Sequence, residues 1–220
     1  MKLLKEILDW SEVWALFIPL TVLAVKKKPV NPLLRPVVVY LFVALLLNAL
    51  ADISWKFQVP LKLHGWMTNN NIMYNIHFVA RLLLFSWFFI RLKEPLMQTV
   101  KKIIPIVYLV YVIISFWKFK PITDFNSGPA AASAALLIFY CLLHYLYLSQ
   151  QEHPPPTAKK SIAMVVAGLS IYVSVNFFIF LFYTTLMDTA VKFSIVIWNV
   201  HNVFFIIFCI FLAFALNESD

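Results

Sequence analysis

The chain has 220 residues, of which 62% are hydrophobic and only 13% are charged, and its mean hydropathy is +0.84. Soluble domains are about 45–50% apolar, so this composition predicts an integral membrane protein. A transmembrane helix needs about 20 apolar residues, which leaves room for about seven spans and for no soluble catalytic or DNA-binding domain. The net charge is +8, but the basic residues lie mostly at the ends of apolar stretches, where they orient helices. Nucleic acid is therefore not an expected partner.

Apolar stretches separated by Pro, Asn and charged residues predict one all-α membrane domain with seven transmembrane helices. The first stretch contains Pro19 and stops at three consecutive lysines, Lys26 to Lys28. Proline is tolerated inside a membrane helix because neighbouring helices can satisfy the carbonyl that it frees. The predicted spans cover residues 13–25, 33–55, 72–92, 103–117, 130–148, 161–186 and 191–216.

Basic residues in the connections predict how these helices are oriented. The first connection carries Lys26, Lys27, Lys28 and Arg35 and no acidic residue. Cytoplasmic loops of membrane proteins carry an excess of Lys and Arg, so this connection is expected in the cytoplasm. With seven helices, the N-terminus then lies outside and the C-terminus inside. The expected location is a bacterial inner (plasma) membrane.

Two of the apolar stretches share a polar step. Tyr74–His77 and Trp198–His201 both read aromatic, Asn, aliphatic, His. Aligning them places the seventh span over the third and brings Asn176 near Asn48, so two Asn–His pairs are expected at similar depth around one cavity. The order of helices then predicts a duplication with a three-plus-one-plus-three layout of parallel repeats. The first repeat covers 1–92, the linker helix 93–120 and the second repeat 121–220. Chance matching among aromatic and aliphatic residues is the alternative.

Polar and ionisable side chains inside the predicted spans form a candidate ligand site. An Arg at the centre of a membrane helix costs at least about 2.5 kcal/mol, so Arg81 needs a buried partner, and we expect an ion pair with Asp52. His77 lies four residues before Arg81 and shares its helix face. A single Asn between helices is often only a hydrogen-bonding strut, and that alternative stays open for Asn48 and Asn176. The candidate ligand-binding residues are Asn48, Asp52, Asn75, His77, Arg81, Asn176, Asn199 and His201.

Neither a metal nor a cofactor is expected from the sequence. Cys141 and Cys209 lie within apolar spans and have no second thiol or histidine at ligand spacing. His201 has no second histidine four residues away, which a zinc site in one helix would require. His144 lies near the cytoplasmic end of its span and is interpreted as an interfacial histidine. The chain has only three glycines and no glycine-rich phosphate loop.

In layout, with an outside N-terminus and parallel three-helix repeats, the chain resembles the sugar-transporting SWEET and PQ-loop group. That family also places an Asn in its third and seventh helices, which Asn75 and Asn199 match. The family relies on prolines within its repeat helices, whereas here only Pro19 lies deep in a predicted span. Trp198–Asn202 is also loosely similar to small seven-helix membrane domains of bacterial signalling proteins. The first resemblance implies transport of a small solute, and the second implies sensing.

Straight, glycine-poor helices around a charged pocket favour sensing over large alternating-access motions. The leading hypothesis is a receptor-like seven-helix protein that binds a small polar or anionic ligand in an outer-side pocket within the membrane. Arg81 and His77 would supply its positive charge, and a partner in the membrane or the cytoplasm would receive the signal. The alternative is a small-solute transporter of SWEET-like layout. An intramembrane enzyme that uses His77 or His201 as a base is the third and least favoured hypothesis.

Overall fold

The computed structural model describes residues 2–27, 29–61, 69–153 and 159–218. Lys28 of the basic first connection lies outside the described residues. Within these ranges the chain is helical, with a short 3-10 helix at Pro32–Leu34. The α-helices are α1 (Lys2–Asp9), α2 (Ser11–Trp14), α3 (Phe17–Val25), α4 (Arg35–Phe57), α5 (Asn71–Arg91), α6 (Gln98–Lys118), α7 (Ser127–Ser149), α8 (Lys160–Thr189) and α9 (Val191–Asn217).

Six helices, α4 to α9, contain segments that are long and apolar enough to cross a membrane. Each of them coincides with one of the predicted spans from the second to the seventh, because apolar length is the property that defines both. Such helices indicate an integral membrane protein. The segments run over Pro32–Phe57, Asn71–Arg91, Gln98–Lys118, Ser127–Ser149, Lys160–Met187 and Phe193–Asn217.

The predicted first span differs, because it is short and broken. Its apolar part covers Ser11–Val25 and rises only about 23 Å as a helix, less than the roughly 30 Å of a hydrocarbon core. A turn at Ala15 and Leu16 separates α2 from α3. The cause is Pro19, which has no N–H to donate to the carbonyl four residues earlier. Ile18 donates instead to the Ala15 carbonyl at 3.1 Å, a 3-10-type bond that tightens the chain there.

The helices pack in a ring rather than in chain order. Going round the ring, α4 lies beside α5, α5 beside α7, α7 beside α8, α8 beside α9, and α9 beside α3. The short helix α2 contacts both α9 and α4 and completes the ring, while α6 packs outside against α5 and α7. The pairs α5–α7 and α3–α9 join the two predicted halves. The duplication and the likeness to the SWEET and PQ-loop layout stay predictions.

Aromatic side chains fill the centre of the ring. Tyr172 of α8 stacks on Phe208 of α9 with ring centroids 5.1 Å apart, and Tyr40 of α4 packs against Phe85 of α5 at 4.9 Å. All four side chains are buried. We call the end of the bundle where α5 begins the Asn71 end, and the opposite end, where α5 finishes, the Glu94 end.

Helices α8 and α9 lie in close contact at Gly168. A Cβ atom built on Gly168 would collide with the Cβ of Phe211 and would lie 2.9 Å from its Cγ. The backbone of α9 stands directly behind these atoms, so the contact could be relieved only by moving one helix away from the other. Close approach of this kind requires a residue without a side chain.

We predict that Gly168→Ala lowers the free energy of unfolding by about 1–3 kcal/mol, because the added methyl group overpacks the α8–α9 contact. The matched control is Gly128→Ala, whose Cβ would meet the Tyr111 hydroxyl at 2.9 Å, the far end of a side chain that can move. Unfolding in mixed detergent micelles measures both variants. Equal stability of the two would show that the helices do not touch at Gly168.

Candidate functional site

A cavity of about 620 Å³ lies at the Asn71 end of the bundle. Side chains from α1, α2, α4, α5, α8 and α9 and from the connection before α7 surround it. Its lining combines carboxylates with aromatic rings and side-chain amides. The lining residues are Asp9, Glu12, Asp52, Trp55, Lys56, Asn70, Asn71, Tyr74, Phe125, Tyr183, Thr184, Met187, Ser194, Ile195, Trp198, Asn199 and Asn202.

The carboxylate of Glu12 lies at the inner side of this cavity. Its residue is only 6% exposed. The Tyr74 hydroxyl of α5 donates to Oε2 at 2.8 Å, and Nε2 of His201 in α9 lies 2.9 Å from Oε1. Asn48 of α4 donates from Nδ2 to the Glu12 backbone carbonyl at 2.9 Å. Through Glu12, the short helix α2 is therefore bonded to α4, α5 and α9.

His201 lies between two hydrogen-bond partners. Nδ1 of the ring faces the side-chain oxygen of Asn176, and Nε2 faces Glu12. The Asn176 amide is oriented by its own Nδ2, which donates to the Tyr172 carbonyl at 2.7 Å, so an oxygen and not an NH2 group points to the imidazole. Only the imidazolium donates from both ring nitrogens. In that form His201 would pair with the Glu12 carboxylate, and Asn176 would be its second acceptor.

Arg81 lies deeper and is fully buried. Nη1 donates to the Tyr172 hydroxyl at 3.1 Å, and the guanidinium carbon lies 5.4–5.8 Å from the ring centroids of Phe78, Tyr172 and Phe180. Cation–π contact compensates part of the cost of burying the charge. Nε and Nη2 have no hydrogen-bond partner among the described residues.

The predicted Asp52–Arg81 ion pair is not formed. The two helices run antiparallel, and Asp52 lies five residues from the end of α4 whereas Arg81 lies ten residues from the start of α5. At 1.5 Å per residue, Arg81 is about 7 Å deeper in the bundle. Asp52 lines the cavity instead.

Of the two predicted Asn–His pairs, one forms a hydrogen bond. Asn176 and His201 are bonded directly. In the other pair, Asn48 bonds to the Glu12 carbonyl, and Nε2 of His77 lies 3.4 Å from the Tyr40 hydroxyl. The pairing differs because Glu12, which directly precedes the first predicted span, occupies the position beside Asn48.

Asn75 acts as a strut at the Asn71 end. Its Nδ2 donates to the carbonyls of Ile122 and Asp124 at 2.9 and 2.8 Å, and its side-chain oxygen accepts from the Asn126 N–H at 3.4 Å. These bonds tie the start of α5 to the connection before α7. Two of the predicted ligand-binding residues, Asp52 and Asn199, line the cavity. Three others, Asn48, Asn176 and His201, bond to Glu12 or to one another. The remaining three, Asn75, His77 and Arg81, lie outside the lining.

A second buried ion cluster lies at the Glu94 end. Oε2 of Glu94 accepts from Nζ of Lys101 at 2.9 Å, and Oε1 lies 2.6 Å from Nδ1 of His144. All three side chains are fully buried or nearly so. Lys93 and Met97 on either side of Glu94 have φ angles of 55° and 52°, left-handed values that turn the connection inward.

The positions of His144 and Glu12 were not predicted from the sequence. His144 was expected at the membrane interface, but it is buried against Glu94. No role was assigned to Glu12 from the sequence. The available signal was its position directly before the first apolar run, because an ionisable residue at a span usually faces the interior and finds a partner.

We predict that Glu12→Gln lowers the free energy of unfolding by about 3 kcal/mol, because it leaves the His201 imidazolium without its counter-charge. Glu6→Gln is the matched control, since Glu6 is an exposed glutamate just before α2, and surface changes of this kind stay within about 0.5 kcal/mol. Unfolding in mixed micelles distinguishes them. Similar losses for both would contradict a buried Glu12–His201 pair.

Lys101 and Lys102 provide a second comparison, because the first is buried against Glu94 and the second is exposed. Lys101→Met is expected to cost about 3–5 kcal/mol, since removal of one partner leaves an uncompensated buried charge. Lys102→Met should have little effect. Adding Glu94→Gln to Lys101→Met should recover part of the loss in unfolding measurements, and a further additive loss would argue against the cluster.

The cavity therefore offers carboxylates, amides and aromatic rings to a ligand. Among the described residues, no three His, Cys, Asp or Glu side chains are grouped so that they could hold a metal ion. No protein-family model matches the chain, and searches of curated proteins and of solved structures find no match either. What this site can bind follows from its own groups.

Proposed function

We propose that the chain is a receptor-like integral membrane protein that binds a small polar ligand in the cavity at the Asn71 end. Pockets for small molecules commonly measure about 300–1,000 Å³ and combine apolar walls with a few polar groups. The cavity of about 620 Å³ has this size and this mixture. In the proposed orientation, the Asn71 end faces the outside of a bacterial plasma membrane and the C-terminus lies in the cytoplasm.

The observation that carries the proposal is the double role of Glu12. Its side chain lines the cavity and also joins α2 to Tyr74 of α5 and to His201 of α9. A ligand that enters the cavity therefore meets a group on which the packing of three helices depends. A ligand shifts a conformational equilibrium only if it interacts differently with the two conformations. Contact with Glu12 would differ between a conformation in which Glu12 is paired with His201 and one in which it is not.

Hydrogen bonds connect Glu12 to residues nearer the middle of the bundle, with Tyr172 contributing its backbone carbonyl and its hydroxyl separately. His201 bonds to Asn176, Asn176 bonds to the Tyr172 carbonyl, and the Tyr172 hydroxyl accepts from Arg81. We propose that a rearrangement at Glu12 moves α8 and α9 through these contacts. A partner in the membrane or at the cytoplasmic loops would then receive the signal.

A small-solute transporter is the second candidate, because the same polar groups lead inward from the cavity. Transport also needs an opening at the other end. There, Glu94, Lys101 and His144 form a buried cluster, and Lys26 donates to the Leu216 carbonyl at 2.6 Å, which joins α3 to α9. These contacts favour binding without passage. An enzyme that uses His201 as a base is supported least, since both of its ring nitrogens face acceptors.

We predict that Asn199→Phe, which fills the cavity, removes ligand binding. The matched control is Val200→Phe, because Val200 is the next residue of α9, is exposed and is not part of the lining. The purified chain is screened in nanodiscs against amines, amino acids, carboxylates and sugars, with the melting temperature as the readout. A receptor should give shifts that Asn199→Phe abolishes and Val200→Phe retains.

Counterflow uptake in liposomes with the same compound separates the two candidates. A receptor should show no saturable uptake of a compound that it binds. Uptake that the Asn199→Phe variant loses would establish transport in place of sensing. Shifts that persist unchanged in Asn199→Phe would show that the cavity is not the binding site.

A further inference from the structure

We propose that the ligand of the cavity is a small organic cation, an ammonium group carried on an apolar or aromatic body, with Asp52 as its counter-ion. This inference rests on the proposed function, since it names the chemical class that the same cavity selects. Among the described residues, the cavity lining contains the carboxylates of Asp9, Glu12 and Asp52 and the ammonium group of Lys56.

Among the described residues, Asp52 is the buried acidic group of the lining that forms no ion pair. Glu12 pairs with His201, whereas Asp52 is only 6% exposed and its Oδ2 has no hydrogen-bond partner in that part of the chain. A buried carboxylate without a partner is costly. A ligand that brings a positive charge to Asp52 gains the charge-assisted hydrogen bond that this oxygen lacks.

Lys56 does not fill this role, although it lies one helical turn from Asp52. Its Nζ sits over the ring of Trp10, 4.0 Å from the centroid, and the ion pairs of the described residues do not include Asp52 with Lys56. The ammonium group of Lys56 is thus directed to an aromatic face, which shows that the rings at this end of the bundle accept a cation.

Asn202 supplies a second free acceptor at the cavity. Its Nδ2 donates to the Leu8 carbonyl at 3.0 Å, so its side-chain oxygen is the atom that remains, and that oxygen has no partner among the described residues. An ammonium group has donors and no acceptor. It therefore complements Asp52 and Asn202 together, while an anionic ligand would face a carboxylate and a carbonyl oxygen.

Aromatic rings form the wall beside these acceptors. Trp198 packs edge-on against Tyr74 with centroids 5.4 Å apart and lies 5.2 Å from Tyr183, which in turn contacts Phe125 at 5.0 Å. All four line the cavity. Such a wall binds the apolar body of a ligand and attracts a positive charge through the ring faces.

The test compares three probes of one size and different charge on the full chain in phosphatidylcholine nanodiscs. The probes are 2-phenylethylammonium, 2-phenylethanol and phenylacetate, with methylammonium and tetramethylammonium as smaller cations. Saturable quenching of tryptophan fluorescence and the shift in melting temperature report binding. The cations should bind, and 2-phenylethylammonium should bind more tightly than its neutral and anionic counterparts.

Asp52→Asn should raise the Kd of 2-phenylethylammonium about 10- to 100-fold, the equivalent of one hydrogen bond to a charged group. Asp124→Asn is the matched control, because Asp124 is an exposed acid at the same end and is not part of the lining; it should change Kd less than twofold. If Asp52→Asn does not fold, Asp9→Asn provides the test, because it removes an exposed charge of the cavity and should leave the fold intact. It should raise Kd by about two- to fivefold.

The outcomes separate the two proposals. The cationic ligand is overturned if phenylacetate or 2-phenylethanol binds more tightly than 2-phenylethylammonium. It is also overturned if the Kd of 2-phenylethylammonium is the same in Asp9→Asn, Asp52→Asn and wild type. Either result leaves the cavity as a ligand site. If no probe of any charge binds, the cationic ligand is overturned, and absence of any shift in the wider compound screen overturns the proposed function as well.

Discussion

The buried carboxylate of Glu12 is the constraint on which the rest of the bundle depends. Desolvating a carboxylate costs several kcal/mol, and only close partners repay that cost. Tyr74 and His201 are those partners, at 2.8 and 2.9 Å. The short helix α2 is thereby fixed between α4, α5 and α9, although its own apolar surface is small.

Positive charge is buried in this bundle by two different means. His201 and Lys101 each lie against a carboxylate, whereas Arg81 is surrounded by three aromatic rings, one of which, Tyr172, also accepts its hydrogen bond. A delocalised, weakly hydrated guanidinium tolerates such surroundings better than an ammonium group does. This is why Arg81 can remain in the centre of the bundle without the Asp52 partner that the sequence suggested, and why Asp52 stays available at the cavity.

The long helices could be predicted from sequence because apolar length alone determines them. The buried ion pairs could not, because each depends on where a short or irregular segment turns. Glu12 lies in the short segment before the turn at Ala15 and Leu16, and Glu94 lies in the connection where Lys93 and Met97 adopt left-handed backbone angles. Asn176 and His201, which lie on two long neighbouring helices, could be paired from helix depth. Asp52 and Arg81 were paired by charge, although the predicted spans 33–55 and 72–92 already place Arg81 six residues deeper than Asp52.

The two buried glutamates use the same chemistry and differ in what surrounds them. Each lies within hydrogen-bond distance of a histidine on a long helix, at opposite ends of the bundle. Glu94 also holds Lys101, and neither it nor its partners line the cavity. Its charge is fully satisfied within the protein, so it can only hold the connection in place. Glu12 borders a cavity that also contains unpartnered oxygens of Asp52 and Asn202. A cation that enters there adds a second positive charge near the Glu12–His201 pair, and it weakens the attraction on which the position of α2 depends. If the cavity binds such a cation, as proposed, binding and helix movement would be linked through one carboxylate.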